Sequence, residues 1–324
     1  MKSLSLEEFS QASDRFDRLV MQSPDVDLFC SSSSWVLPAA EALMPGRDPW
    51  IWEGPEGFVA MMRGMHPDGW HYLEPLESMW GLASPLISPE PAVLVAAFTQ
   101  LARRYEADWE LLLIGGVVQG SVAYDSLIKS MGSRYRLRLG RATQRHCASL
   151  EGGLEGFLSR RSRKFRANLR RDQRTAAQAG VVFEQADGPE LDPAALYERI
   201  LRVERQSWKG MRGVGIDQGQ MRDFYAQMVR QLLPIGALRV LFARLGDQDV
   251  SYILGGVLGD TFRGLQFSYV HQHRDLALGN LSQVAMIERL AGEGVVYYDL
   301  GSDIEYKARW GEGGMRTVTL VVYR

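Results

Sequence analysis

The chain has 324 residues, of which 46% are hydrophobic and 10% aromatic, and its formal net charge is −2. This composition excludes a disordered chain, and the length allows two domains or one large domain. The two cysteines, Cys30 and Cys147, exclude a disulfide framework and fit a reducing cytosol.

The start of the sequence is polar and acidic, which is unlike a signal peptide. No apolar run approaches the ~18 residues that a helix needs to cross a bilayer. We therefore expect a cytoplasmic protein without a membrane span.

The first half of the chain alternates between helical periodicity and short strands bounded by Gly and Pro turns. The elements predicted there are a helix at 35–43, strands at 50–53, 57–65 and 70–74, a helix at 91–105, a strand at 110–114, a helix at 121–131 and a strand at 135–141.

The second half repeats this alternation. The predicted elements are a helix at 165–179, a strand at 181–185, helices at 194–208 and 218–233, strands at 238–244, 251–258 and 264–269, a helix at 281–291 and strands at 295–300 and 316–322. Because the glycine-rich run at 149–156 breaks the pattern, we expect two units, 1–150 and 151–324. The fold class is α/β (α+β), with a mixed central sheet flanked by helices in each unit.

One segment, residues 159–174, concentrates positive charge. It holds eight Arg or Lys residues and one Asp, a local charge of +7 on a chain whose net charge is −2. Two rows follow helical spacing, namely Arg163, Arg166, Arg170 and Arg174, and then Arg160, Lys164 and Arg171. Because these cations repel one another unless an anion is near, the segment predicts an anion-binding helix; the alternative is a solvated charged face.

The last fifth of the chain carries a second informative segment. A loop with Gly279 leads into a largely apolar helix, a short strand then ends in Asp299-Leu300-Gly301, and Tyr306-Lys307 and Trp310-Gly311 follow.

These two segments, in this order, resemble the CelD/BcsL-type acyltransferases of the GNAT superfamily, which are related to the Fem-type peptidoglycan-bridge aminoacyltransferases. The resemblance covers roughly residues 155–311. It implies tandem GNAT-like units, of which residues 1–150 form a degenerate one, because the charged signatures are missing there.

The resemblance also implies a donor site. In GNAT folds that use acyl-CoA, the pyrophosphate lies against backbone N–H groups at the start of a helix. The matching residues here are Arg274, Gly279 and Asn280, although an ordinary helix entry is an equal alternative. For the basic segment, Arg163, Lys164 and Arg166 are the expected donor contacts, with CoA, an acyl-carrier protein or an aminoacyl-tRNA as possible anions.

Acyl transfer to an amine needs a proton acceptor, donors for the oxyanion and often an acid for the thiolate. We assign Asp299 as the base or acceptor-orienting group, Tyr306 as an acid and Lys307 as a contact to phosphate or carboxylate. As a base, Asp299 is expected to have a pKa raised by partial burial. The alternative is structural, with Asp299 capping a turn and Tyr306 and Trp310 packing in the core.

Three further residues are assigned to the substrate site. Tyr298 is a second candidate acid, Trp208 stands where the resembling family often has a tryptophan, and His271 is a candidate base. A metal is not expected, since no carboxylate or Cys stands at ligand spacing from His271.

The predicted function is transfer of an acyl group from acyl-CoA, with acetyl-CoA as the first choice, to an amine of a small molecule. Two alternatives remain open: an aminoacyl-tRNA-dependent aminoacyltransferase of the Fem type, and a non-catalytic anion-binding protein with a GNAT fold. The acceptor and the oligomeric state are not determined by the sequence.

Overall fold

The computed structural model describes residues 1–302 and 305–324. The chain divides into two compact units, one of Met1–Gln144 with Met315–Arg324 and the other of Arg145–Gly314. The predicted boundary lay at 150/151, and the last ten residues were assigned to the second unit. The difference arises because the chain passes between the units within two strands, one at residues 144 and 145 and the other at residues 314 and 315. A continuous strand gives no break in the sequence pattern.

The first unit is a mixed sheet with helices. Its helices are α1 (Leu6–Gln11), α2 (Ser13–Gln22), α3 (Leu28–Ser31), α4 (Ser33–Leu43), α5 (Pro91–Arg104) and α6 (Val122–Gly132). Its strands are β1 (Lys2–Leu4), β2 (Asp48–Gly54), β3 (Gly57–Met65), β4 (His71–Pro75), β5 (Leu86–Ile87) and β6 (Leu111–Val118), together with parts of β7 (Arg136–Ser149) and β13 (Glu312–Tyr323).

The strand order of the first unit is β1-β2-β3-β4-β6-β13-β7, with β5 paired to β3. Strands β4 and β6 run parallel, whereas β2–β3, β3–β4 and β6–β13 are antiparallel. Its core is rich in aromatic side chains, including the fully buried Trp109 and Phe98.

The second unit contains the basic segment and most of the C-terminal one. Its helices are α7 (Gly153–Ser159), α8 (Arg163–Gln178), α9 (Pro193–Arg205), α10 (Trp208–Met211), α11 (Gly219–Leu232) and α12 (Leu278–Gly292). Its strands are β8 (Val181–Gln185), β9 (Leu238–Leu245), β10 (Gln248–Leu258), β11 (Thr261–Tyr269) and β12 (Tyr297–Ser302), with the ends of β7 and β13.

The strand order of the second unit is β7-β12-β11-β10-β9-β8. Strands β11 and β12 are parallel, and their connection passes through α12; the other pairs between β7 and β8 in this order are antiparallel. The expected mixed sheets flanked by helices are therefore confirmed.

Helix α12 forms the centre of the second core. Val284, Met286, Ile287 and Leu290 are all buried in one cluster, so the helix is apolar on most of its surface. It begins at Leu278, three residues before the predicted start, because Ala277 takes a left-handed conformation that ends the preceding 3₁₀ turn. Among the described helices, none has both the length and the apolar character needed to cross a membrane.

Candidate active site

Strands β11 and β12 separate after a short parallel contact. They pair only from Thr261 with Tyr297 to Arg263 with Asp299. Residues 264–267 of β11 lie beyond this contact and are half-exposed. The register with β10 also shifts between Leu254 and Gly255, and the bulge redirects this part of the strand. The separation leaves a length of strand edge accessible beside the sheet.

The start of α12 lies at this opening. Ala277, its N-cap residue, has φ 51° and ψ 31°, and no side chain caps the helix. The first backbone N–H groups of a helix have no partner within the helix and carry its partial positive charge. A Cβ at Gly279 would stand 3.1 Å from Phe267 Cε2, so glycine allows this turn to approach β11 closely.

An open cavity of about 200 Å³ lies between β11 and α12. Phe267 and Tyr269 of β11 form one wall, Gly279, Asn280 and Gln283 of α12 form another, and Tyr306 with Ala277 completes the lining. A second cavity, of about 150 Å³, is lined by α8 residues, Arg309 and Trp310, and it shares Asn280 and Tyr306 with the first.

Tyr306 lies at the junction of the two cavities. Its ring packs edge-on against Phe267, with 6.3 Å between ring centroids, and 37% of the residue is exposed. Partial burial raises the pKa of the Tyr306 phenol above its usual value. The phenol therefore stays protonated at neutral pH and can donate a proton.

Residues 163–308 match the family model described as "Acetyltransferase (GNAT) domain". The second unit therefore contains a segment that resembles a GNAT acetyltransferase domain. The match includes α8, α12 and the Tyr306 segment, so the protein is a transferase, and the non-catalytic alternative is set aside.

Similar solved structures cover nearly the whole chain. They include FemX (12% identity, TM-score 0.65, covering 98% of this chain and 97% of that chain) and a conserved protein of unknown function from Bacteroides thetaiotaomicron (14%, 0.64, 100% and 99%). A tandem GNAT protein from the clavulanic acid biosynthesis pathway is also similar (14%, 0.50, 99% and 97%). At these identities the likeness shows the fold alone, which is that of tandem GNAT proteins. A comparison with curated proteins gave no significant match.

Within the matched segment, Asp299 is a buried ion-pair residue. Its carboxylate accepts hydrogen bonds from Arg263 Nη1 at 2.9 Å, Arg145 Nη1 at 3.0 Å and the Gly301 N–H at 2.7 Å. Burial alone would raise the pKa of Asp299, but the two guanidinium groups and the Gly301 N–H outweigh it and hold the pKa below its usual value. This direction is opposite to the one expected of a general base.

Lys307 and Tyr298 lie outside both cavities. Lys307 Nζ is beside the Gly301 backbone, because a Cβ built on Gly301 would stand 3.3 Å from it. Tyr298 is buried in the core, where its ring packs edge-on against Phe262 with 4.9 Å between centroids. Burial raises the pKa of Tyr298 strongly. The candidate catalytic residues are thus divided, with Tyr306 at the cavities and Asp299 and Lys307 at the end of β12.

Helix α8 contributes Phe165, Asn168, Leu169 and Asp172 to the second cavity. Residues of an α-helix are ~100° apart around its axis, so these four share one face. By the same geometry, the exposed residues Arg163, Arg170 and Arg174 stand on the opposite face.

The other predicted donor contacts of α8 are on its flanks. Lys164 is exposed, and Arg166 is half-buried with an Nε atom that has no hydrogen-bond partner among the described residues. Three further cations of the segment are neutralised: Arg160 and Arg161 contact Glu312, and Arg171 contacts Asp172. The predicted basic donor contacts therefore do not face the cavity that contains Gly279 and Asn280.

The remaining predicted residues line neither cavity. His271 Nε2 is 3.3 Å from Arg274 Nη1 in the 3₁₀ turn that precedes α12. Trp208 is 46% exposed, and the Arg212 guanidinium lies 5.8 Å from its ring centroid. Within residues 1–302 and 305–324 no group of three or more His, Cys, Asp or Glu side chains could hold a metal ion.

A buried polar network next to Trp208 was not predicted. Lys209 Nζ donates to Gln266 Oε1 at 2.9 Å and to the Phe267 carbonyl at 2.8 Å, and it lies 3.8 Å from the fully buried Glu204. Burial lowers the pKa of Lys209. The network fastens α10 to the β11 residues that form the cavity wall. The network joins Lys209 to β11 residues that are more than fifty positions away in the sequence, so no local sequence pattern predicts it.

The sequence reasoning also missed Phe267, Tyr269 and Gln283 of the cavity. A signal existed only for Gln283, a polar residue within the largely apolar α12. Phe267 and Tyr269 fall within a predicted strand, where aromatic residues are common, so the sequence did not mark them as cavity residues.

Proposed function

We propose that the protein is an N-acyltransferase that moves an acyl group from acyl-CoA, with acetyl-CoA as the first choice, to an amine of a small molecule. The observation that carries this proposal is the uncapped N-terminus of α12 beside the cavity of Phe267, Tyr269 and Tyr306. Such a helix terminus offers N–H donors and a partial positive charge to a pyrophosphate group.

The separated strands support the same donor. An extended chain that contains amides can lie along the accessible edge of β11 and form main-chain hydrogen bonds there. The arm of CoA, which links the pyrophosphate to the thioester, is such a chain. We therefore assign the pyrophosphate to Gly279 and Asn280 and the arm to the opening between β11 and β12.

The chemistry that we propose uses Tyr306. The neutral amine attacks the thioester carbonyl carbon, the C–N bond forms, and the C–S bond breaks to release a thiolate. Tyr306 then donates its phenolic proton to the thiolate sulfur, and the proton lost by the amine passes to solvent, from which the phenolate is reprotonated. Asp299 holds strands β7, β11 and β12 together in this account.

Binding of the donor tests this proposal first. Thermal unfolding is followed with CoA, acetyl-CoA and deacylated tRNA, because a ligand that binds the native state raises the melting temperature. We expect CoA and acetyl-CoA to raise it, and acetyl transfer to follow with a member of an amine panel. If neither thioester nor CoA binds at millimolar concentration, the CoA donor is wrong.

A second candidate donor is an aminoacyl-tRNA, which would make the enzyme resemble the Fem type. It is supported by the exposed row of Arg163, Arg170 and Arg174, which faces away from the cavity and suits a polyanion larger than CoA. The test is a competition experiment between deacylated tRNA and CoA. If the tRNA binds at micromolar concentration without displacing CoA, the chain has a nucleic-acid-binding surface that is separate from the CoA site. Displacement of CoA by tRNA favours tRNA as the donor.

A further inference from the structure

We propose that a cavity in the first unit binds a small organic ammonium ion with an apolar substituent, whose positive charge pairs with the carboxylate of Glu77. The inference goes beyond the proposed function, because the donor site and the proton donor Tyr306 both belong to the second unit. The cavity is open, has a volume of about 200 Å³ and lies between the end of α4 and the segment that follows β4.

The lining of this cavity is mostly apolar. It consists of Ala39, Leu43 and Met44 at the end of α4, Leu76 and Met79 after β4, and the polar residues Arg47, Glu77 and Ser78. Leucine and the adaptable side chain of methionine can cover an alkyl group and remove it from water. A ligand of this cavity therefore needs an apolar part.

The charges around the cavity do not balance. Arg47 forms an ion pair with Glu74, which also accepts a hydrogen bond from the Ser78 hydroxyl at 2.6 Å. Glu77 is only 1% exposed, and no cation in the part of the chain that the structure describes forms an ion pair with it. One guanidinium group and two carboxylates leave a net charge of −1 at this place.

Glu77 has backbone hydrogen bonds in place of a cation. Its Oε1 accepts the Trp80 N–H at 2.6 Å, and its Oε2 accepts the N–H groups of Leu82 and Ala83 at 3.2 and 3.5 Å. These groups fix the carboxylate but carry no net charge. Because a carboxylate offers about four acceptor positions, one remains for a ligand. Buried charges are as a rule paired, so a buried carboxylate beside a cavity points to a cationic ligand.

An organic ammonium ion matches both parts of the lining. Its N–H groups can donate to Glu77 and to the hydroxyl oxygen of Ser78, whose own proton is directed to Glu74. Its alkyl group contacts the Leu and Met side chains. A carboxylate or phosphate ligand would instead add a like charge beside Glu77, and a metal ion prefers oxygen ligands and gains nothing from the apolar side chains.

Three ligands of similar shape test the role of the charge. Butylammonium, butan-1-ol and butanoate are titrated into the full chain, and binding is measured by calorimetry. We expect butylammonium to bind at millimolar concentration and butan-1-ol about tenfold more weakly, because a hydrogen bond to a charged group contributes more than a neutral one. Butanoate should not bind. Equal affinity for butylammonium and butan-1-ol, tighter binding of butanoate, or no binding of butylammonium overturns the inference.

Met79→Lys tests the location of the site. Met79 is 48% exposed and lines the cavity, so the new side chain can supply the missing cation from the chain itself. Butylammonium should then bind at least about tenfold more weakly, since its position beside Glu77 is taken. The matched control is Met65→Lys, at a residue that is 67% exposed on β3 of the same unit and is not among the lining residues. We expect unchanged affinity in the control; unchanged affinity in Met79→Lys, or an equal loss in both variants, overturns the inference.

A measurement on the wild-type chain decides the case in which Met79→Lys does not fold. With ¹³C-labelled methionine methyl groups, butylammonium should shift the NMR signals of Met44 and Met79 and leave that of Met65 unchanged. Shifts confined to other methionines overturn the inference. Since no thioester takes part in these experiments, their outcome is independent of the proposed acyl-CoA donor.

Discussion

At the scale of single residues, Asp299 shows how burial changes the role of a carboxylate. It lies on β12 and pairs with Arg145 of β7 and Arg263 of β11, so it joins three neighbouring strands. All three side chains are nearly buried, and burial lowers the pKa of Arg145 to about 10. Removing one member of such a group leaves charge buried without compensation.

We expect Asp299→Asn to lower the free energy of unfolding by about 3 kcal/mol at pH 7. Because the folded pKa of Asp299 lies below the unfolded value of ~3.9, the stability that it contributes is present above that value and is lost as the pH falls through the folded pKa. The difference between the variant and the wild-type chain should therefore shrink in that acidic range. Urea unfolding as a function of pH measures this.

Asp48→Asn is the control for Asp299→Asn, since Asp48 forms an exposed ion pair with Arg63 and should change stability by less than ~1 kcal/mol. An Asp299→Asn variant as stable as the wild-type chain, but with turnover lowered by about 10²-fold, would favour the original assignment of Asp299 as a base.

Tyr306→Phe tests the proton donor. The variant keeps the ring beside Phe267 and removes the phenolic proton, so kcat should fall by about 10²-fold while the dissociation constant of the donor is unchanged. Steady-state kinetics together with calorimetry separate the two quantities. Tyr269→Phe, in the same cavity, is expected to keep full kcat; loss of activity in both variants would contradict a specific role for Tyr306.

At the scale of elements, α12 combines two tasks. Its apolar face fills the core, and its uncapped first turn forms one wall of the cavity. A helix start without a capping side chain is less stable by ~1 kcal/mol than a capped one, and it leaves the first N–H groups accessible. The two glycines of this helix allow the tasks to be separated.

Gly279→Ala should weaken donor binding by about tenfold, because the added Cβ stands 3.1 Å from Phe267 and forces the ring into the cavity. Gly292→Ala, at the other end of the same helix, meets no atom within 4 Å and should leave binding unchanged while stabilising the helix by up to ~1 kcal/mol. Calorimetry and thermal unfolding of both variants check this. Equal donor affinities would show that the first turn of α12 is not part of the donor site.

At the scale of the whole molecule, the charge is unevenly distributed. The net charge is −2, although residues 159–174 carry +7. Part of this charge is neutralised by Glu312 and Asp172, and the remainder is largely exposed on α8. An exposed cluster of this kind attracts polyanions and is screened by salt.

Charge reversal at Arg163 and Arg170 should change CoA affinity by less than about threefold, because both residues face away from the cavity. Binding of tRNA, if it occurs, should fall by more than tenfold and become less dependent on salt. Reversal of Arg103 and Arg104, which are exposed on α5 of the first unit, serves as the control. A large loss of CoA affinity in the first variant would restore Arg163 as a donor contact.

The sequence by itself determined the order and type of the main elements and the GNAT resemblance. These follow from local patterns: the period of apolar residues fixes helix or strand, and the basic segment and the Gly279 loop are contiguous in the chain. The sequence also singled out Tyr306 as a candidate acid, and this residue lines both cavities.

Only the tertiary structure decided which residues share a site. Asp299 was predicted without knowledge of Arg145 and Arg263, which lie 154 and 36 residues away and reverse the direction of its pKa shift. The outward face of Arg163 depends on the way α8 packs, and the cavity position of Gln283 depends on the contact between α12 and β11. Charge, burial and hydrogen bonding are set by neighbours in space, and a linear pattern does not contain them.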